Sequence, residues 1–151
     1  MSEHLMERMT WQEVDARISA GVDAVLLPIG TTEQHGPHMP LDTDCVIARS
    51  LAERVADQAA ADGLSVLVAP TLNVTLSWYH MQFPGSMRLS TTTFLQVFKE
   101  TVESLHHHGI RNVIALNGHG GNVAALTVAV KSSSADCAAN AGSSTVVNPY
   151  P

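Results

Sequence analysis

Apolar and polar positions along this chain fall into blocks that predict a regular succession of helices and strands. Thr10-Trp-Gln-Glu13 has the form of a capping box, a hydroxyl acceptor followed three residues on by a glutamate. Trp11, Val14 and Ile18 then share one helical face, and Gly21 suits the stop. Residues 23–29, apolar from Ala24 onward, have the pattern of a short strand buried on both faces. From about Asp44 to Asp62, Val46, Ile47, Ser50, Leu51, Arg54 and Val55 recur with the helical period, and Gly63 ends the run. Residues 64–69 read as a second buried strand, closed by Pro70. Residues 71–90 predict a long loop carrying Trp78, Tyr79, His80 and Phe83-Pro-Gly85, and loops of that length are often functional. Ser90 or Thr91 can cap a helix with Phe94, Val97, Phe98, Val102 and Leu105 inward and Gly109 at its end. Residues 111–116 predict a third strand, Val123 to about Ser133 a helix, and residues 145–147 a fourth strand. Residues 132–144 are rich in Ser, Ala and Asn and have weak periodicity.

The order αβαβαβαβ implies an α/β fold: a mainly parallel sheet with helices on both faces, in three α/β/α layers. Ligands in such sheets bind beyond the C-terminal ends of the strands. Three loops leave strand C-termini here, one with Glu33 and His35, one with His80 and one with His119. They therefore share one edge of the sheet.

That placement turns attention to Gly30-Thr-Thr-Glu-Gln-His-Gly-Pro-His-Met-Pro-Leu-Asp-Thr-Asp44, a loop dense in acids, histidines and prolines. Glu-x-His puts two ligand-capable side chains on the same side of an extended segment. Carboxylate oxygen and imidazole nitrogen suit zinc, manganese or iron. Asp44 sits at the start of a helix, where the dipole favours a carboxylate and from where it could bridge two ions. His119 lies among Gly118, Gly120 and Gly121, which permit close approach to a crowded centre. Each residue also has an ordinary reading. Asp44 could be a first-turn helix acid, Glu33 a solvated loop acid, and His119 a turn residue. His35 and His38 could hydrogen-bond their loop to itself, and a glycine-rich loop before a helix could hold a phosphate. His80 is open between pocket and loop structure, and Trp78 and Tyr79 could wall a pocket or pack the loop. His106-His-His108 points in three directions on a helix and reads as a C-terminal dipole feature.

Composition narrows the class. The chain has 151 residues, the size of one domain, and is 45% hydrophobic and 15% charged. A net charge of -6 argues against nucleic-acid binding and leaves no basic patch for a membrane. No apolar run approaches a membrane span, and the N-terminus lacks a signal-peptide pattern. Cys45 and Cys137 have no zinc-type spacing and read as free thiols, so a cytoplasmic location is expected.

The run Pro28-Ile-Gly-Thr-Thr-Glu-Gln-His-Gly-Pro-His-Met-Pro-Leu-Asp-Thr-Asp44 closely resembles the first signature of the creatininase family of amidohydrolases. Phe83-Pro-Gly85 and Asn117-Gly-His-Gly-Gly-Asn122 resemble its second and third signatures, in the right order. The resemblance implies a metal-dependent amidohydrolase that cleaves a C–N bond of a small cyclic amide or formamide with water activated at two divalent ions. Zinc is the expected metal, with manganese or iron as alternatives. By motif position, Glu33 and His119 correspond to ligands of one ion, His35 to a ligand of the other, and Asp44 to the bridge. Trp78, Tyr79 and His80 are then candidates for substrate contacts. A homo-oligomer, typically a hexamer, is implied as well.

Members of the family are longer, and a late segment of the type His-Ala-Gly…Glu-Thr-Ser has no counterpart here. Creatininase itself carries a metal-binding glutamate where this chain has Gly121. Residues 1–151 are therefore expected to form a single creatininase-like domain lacking the family's C-terminal part, with a weaker second metal site. A shortened, non-catalytic member that binds metal or partner subunits is the alternative expectation. A nucleotide-binding module fits less well, because the glycine loop lacks the dinucleotide spacing and the P-loop lysine.

Overall fold

Four parallel strands make one sheet in the order β2-β1-β3-β4: β1 Ala24–Ile29, β2 Val66–Val68, β3 Asn112–Asn117 and β4 Ser143–Val147. The structure, a computed structural model, describes residues 4–137 and 143–147. Side chains of residues 131–144 lie outside that description, Cys137 among them. The helices are α1 Trp11–Ala20, α2 Thr43–Ala61, α3 Thr91–His107 and α4 Val123–Cys137. The expected α/β architecture is observed, with each strand within two residues of its predicted bounds. The weakly periodic stretch after Ser133 continues as helix to Cys137.

The topology fixes where a ligand can sit. From β1 the chain crosses outward to β2, then returns past β1 to β3, and continues away to β4. Strand order thus reverses between β1 and β3, the switch point at which open α/β sheets bind ligands. The register Ile29↔Asn117 brings the C-terminal ends of these two strands level. Gly30 and Gly118 begin the two loops that leave them, and Gly118 N–H donates to Ile29 O at 2.7 Å.

The two faces of the sheet carry different cores. Val25, Leu27 and Ile29 of β1 point to one face, where they meet Phe94, Phe98, Val102 and Leu105 of α3 and Leu126 of α4. This is the apolar face predicted for α3, and Ser90 caps the helix as expected. Phe94 and Phe98 are fully buried, each contributing about 1.5–3 kcal/mol. Leu26 points to the other face, against Ala52 and Ala56 of α2.

Two helical faces differ from expectation. In α2 the periodic set is the outward one: Val46, Ile47, Leu51 and Val55 are all at least 39% exposed. The inward face is Cys45, Ala48, Ala52 and Ala56. Small residues let this helix lie close to the sheet, and alanine carries too little hydrophobic weight to mark that face in the sequence. In α1 the Thr10–Glu13 capping box forms, yet Trp11 is 75% exposed and no residue of α1 is fully buried. Ile18 alone of the predicted stripe packs on the main core. Among the described residues no helix is long and apolar enough to cross a membrane.

Candidate metal centre

Both loops at the switch point are pressed onto the first turn of α2. A Cβ on Gly30 would lie 2.5 Å from Cys45 N, and one on Gly118 would lie 2.6 Å from Asp44 O. Only glycine fits at either place. Asp44 is the second residue of α2 and 5% exposed, so its carboxylate is held where the helix dipole favours it. Glu33, two residues past Thr31, is 4% exposed and takes a short hydrogen bond from Ser77 Oγ to Oε2.

Four predicted residues converge. Ligand atoms of Glu33, His35 and Asp44 all lie within 4.8 Å of one another. His35 Nε2 is 2.9 Å from Asp44 Oδ1. His119 Nδ1 is 2.9 Å from Asp44 Oδ2 and 3.4 Å from Glu33 Oε1. Asp44 therefore offers one oxygen to each imidazole. The 2.9 Å approach of His119 to Oδ2 lacks hydrogen-bond alignment, and Oδ2 is buried without a hydrogen-bond partner.

The remote nitrogens of both rings support the same reading. His35 Nδ1 lies 3.1 Å from the Glu33 carbonyl, and His119 Nε2 lies 2.6 Å from the Leu76 carbonyl. Carbonyl oxygens only accept, so each of these nitrogens carries the proton. In the neutral rings the nitrogens facing the carboxylates then keep their lone pairs, as in histidines that ligate metals. Leu76 is itself held, its N–H donating to Asn122 Oδ1 at 3.3 Å. Asn117 braces the His119 backbone from both sides, Nδ2 donating to His119 O and Oδ1 accepting from His119 N. The set of two carboxylates and two imidazoles fits a divalent metal ion.

The cluster forms the floor of a cleft of about 620 Å³, lined also by Ser77, Trp78, Tyr79, His80 and Thr91. Trp78 is 52% exposed, with the Arg88 guanidinium over its ring, and Tyr79 is exposed at the rim. His38 is exposed and outside the cleft. His106 Nδ1 bonds Ile110 O, and His107 and His108 stack edge to face at the far end of α3. Cys45 is free and buried, and burial, reinforced by Asp44 and Asp42, pushes its thiol up to about 11, which makes it a poor nucleophile. Ser77 and Gln34 were not singled out by sequence. Both lie in irregular segments where no periodicity marks a side chain as inward.

The creatininase family profile, described as creatinine amidohydrolase, matches residues 7–149. The chain belongs to the creatininase family. Over 110 residues it is 42% identical to a mycofactocin precursor peptide peptidase of Mycolicibacterium smegmatis, covering 72% of this chain and 44% of that one. Over 111 residues it is 32% identical to a creatinine amidohydrolase of Pseudomonas putida, covering 74% of this chain and 43% of the other. This creatininase-family chain thus spans less than half the length of these curated relatives. A solved structure titled creatininase Mn superposes with a TM-score of 0.84 at 25% identity, covering 96% of this chain and 58% of that one.

The cluster should make stability depend on pH when metal is withheld. Burial alone would lower the pKa of His119, but the Asp44 carboxylate 2.9 Å from its Nδ1, the charge of Glu33 and the Leu76 carbonyl together raise it above 6.5. A folded-state pKa above the unfolded value means that the imidazolium stabilises the fold fully below 6.5. That stabilisation is lost as pH rises through the folded pKa. Chelator-treated protein is expected to melt lower at pH 9 than at pH 6, and added zinc should remove most of that difference. Equal melting temperatures of the chelated protein at the two pH values would contradict the charge assignment.

Proposed function

We propose that this chain is a metal-dependent amidohydrolase acting on a C–N amide bond, with Glu33, His35, Asp44 and His119 as metal ligands and catalytic groups. The observation that carries it is the division of the Asp44 carboxylate, one oxygen toward His35 and one toward His119, with Glu33 beside His119. On this reading Glu33 and His119 would hold one divalent ion and His35 another, with Asp44 contributing an oxygen to each. Zinc suits the mixed oxygen and nitrogen donors, and manganese is the alternative. The metals supply Lewis-acid polarisation of the amide carbonyl and water of lowered pKa.

The chain's own residues do the rest. Ser77 and the Leu76 carbonyl hold Glu33 and His119 in orientation, so the ligand atoms need little rearrangement on binding. Trp78 and Tyr79 line the outer cleft and offer aromatic surface to a bound amide. Small cyclic amides and formamides fit a cleft of this volume. A second reading, a peptide-derived amide, is favoured by the open rim at the exposed Trp78 and Tyr79 and by the name of the mycobacterial relative.

Protein purified without chelator is expected to contain zinc or manganese by elemental analysis. Metal-loaded protein is expected to hydrolyse at least one of creatinine, an N-formyl amine and a peptide amide. Metal binding without turnover of any of them would instead support the non-catalytic alternative, and failure to bind zinc or manganese on titration would sink both.

A further inference from the structure

Gln34 lies between two proposed ligands, yet its side chain turns away from them. Its Oε1 accepts from Gly36 N–H at 2.9 Å, which fixes the amide oxygen on the backbone and turns the NH2 the other way. That NH2 lies 2.9 Å from His80 Nδ1. An amide NH2 can only donate, so His80 Nδ1 accepts and the ring proton sits on Nε2. His80 Nε2 lies 3.7 Å from Glu33 Oε1, across a gap wider than a hydrogen bond. The ring's backbone is anchored too. Phe83 N–H donates to His80 O at 3.0 Å, and Gln34 N–H donates to Ser86 Oγ at 3.2 Å. The Phe83-Pro-Gly85 turn and the Gln34 loop therefore clamp His80 from both sides.

The inward atoms of the metal cluster are acceptors: carboxylate oxygens of Glu33 and Asp44 and ring nitrogens of His35 and His119. His80 Nε2–H is a donor facing them, and it is matched to an acceptor on a ligand. We propose that Gln34 locks His80 as the Nε2–H tautomer and that this N–H binds the carbonyl oxygen of the substrate amide. His80 is then a substrate-binding donor and Gln34 a positioning residue that acts through it. The inference rests on the amidohydrolase reading above, which did not give His80 an atom or Gln34 a role.

The tautomer is readable without turnover. Nitrogen NMR of the zinc-loaded protein, assigned with the His80→Gln variant, should show His80 purely as Nε2–H. Gln34→Met should retain zinc, show a tautomer average at His80 and lose about 10-fold in kcat/KM. His80→Ala should lose about 100-fold, and His80→Gln, which keeps an N–H at similar reach, should recover part of that. Nδ1–H in the unaltered protein, or an unchanged tautomer and unchanged kcat/KM in Gln34→Met, would overturn the proposal. If no amide is turned over, the activity reading fails by itself. The His80 Nε2–H resonance on adding creatinine or N-methylformamide then decides: a shift supports the donor role, and an unmoved signal refutes it. The same measurement decides if Gln34→Met does not fold.

Discussion

Replacing Asp44 with asparagine is expected to strip the protein of metal. Its two oxygens face two different imidazoles, so one substitution removes a negative charge from both halves of the cluster. The isosteric amide can still occupy the space, but its NH2 would point a donor at one imidazole lone pair. Loss of a supporting contact alone typically costs 10- to 100-fold in metal affinity, so loss of a shared charged ligand should exceed about 100-fold. His38→Ala is the control, because His38 is exposed and outside the cleft. Competition with a chromophoric chelator measures both. Equal losses in the two variants would mean that Asp44 is not a ligand.

The Gly30→Ala substitution should be nearly as damaging and by another route. The added Cβ would sit 2.5 Å from Cys45 N, 2.7 Å from Cys45 Cα and 2.8 Å from Asp44 C, all backbone atoms of the first turn of α2. Gly30 cannot retreat, because its N–H donates to Leu72 O at 2.9 Å and its carbonyl accepts from Thr75 Oγ1 at 2.7 Å. Either β1 or α2 must shift, and Asp44 moves with α2. A loss of about 3 kcal/mol is expected, together with weakened metal binding. Gly120→Ala in the other loop should be close to neutral, since nothing lies within 4 Å of a Cβ there. Urea unfolding of the two variants provides the comparison, and a Gly30→Ala midpoint matching that of Gly120→Ala would refute the close-approach argument.

The sheet and α3 were legible because their burial is written in large apolar side chains. Residues 24–29 are buried throughout, and Phe94, Phe98, Val102 and Leu105 fall at helical spacing on one face. The meeting of Glu33 and His119 was legible too, since parallel topology sends both loops to one sheet edge. The inward face of α2 was not, because it is made of alanine while larger residues of the same period face outward. Nor was Trp11, a large apolar side chain that stays exposed on a short helix. At the centre itself, ligand types and spacing could be read. The contacts that orient them could not: the Leu76 carbonyl, Ser77 Oγ and the Gln34 amide reach the site through loop paths that no residue pattern encodes.

The candidate ligands leave from two separate crossovers, Glu33, His35 and Asp44 from the segment between β1 and α2 and His119 from the segment after β3. An unfolded chain cannot hold all four around an ion, so ion affinity and folding become a single linked equilibrium. Free metal at 100 times its Kd would add about 2.7 kcal/mol to the stability of the fold. That is a large share of the roughly 5–15 kcal/mol that holds a typical domain together. A chelator would accordingly lower the stability of the metal-loaded chain, and its melting temperature would report the metal content of the buffer as well as the quality of its core.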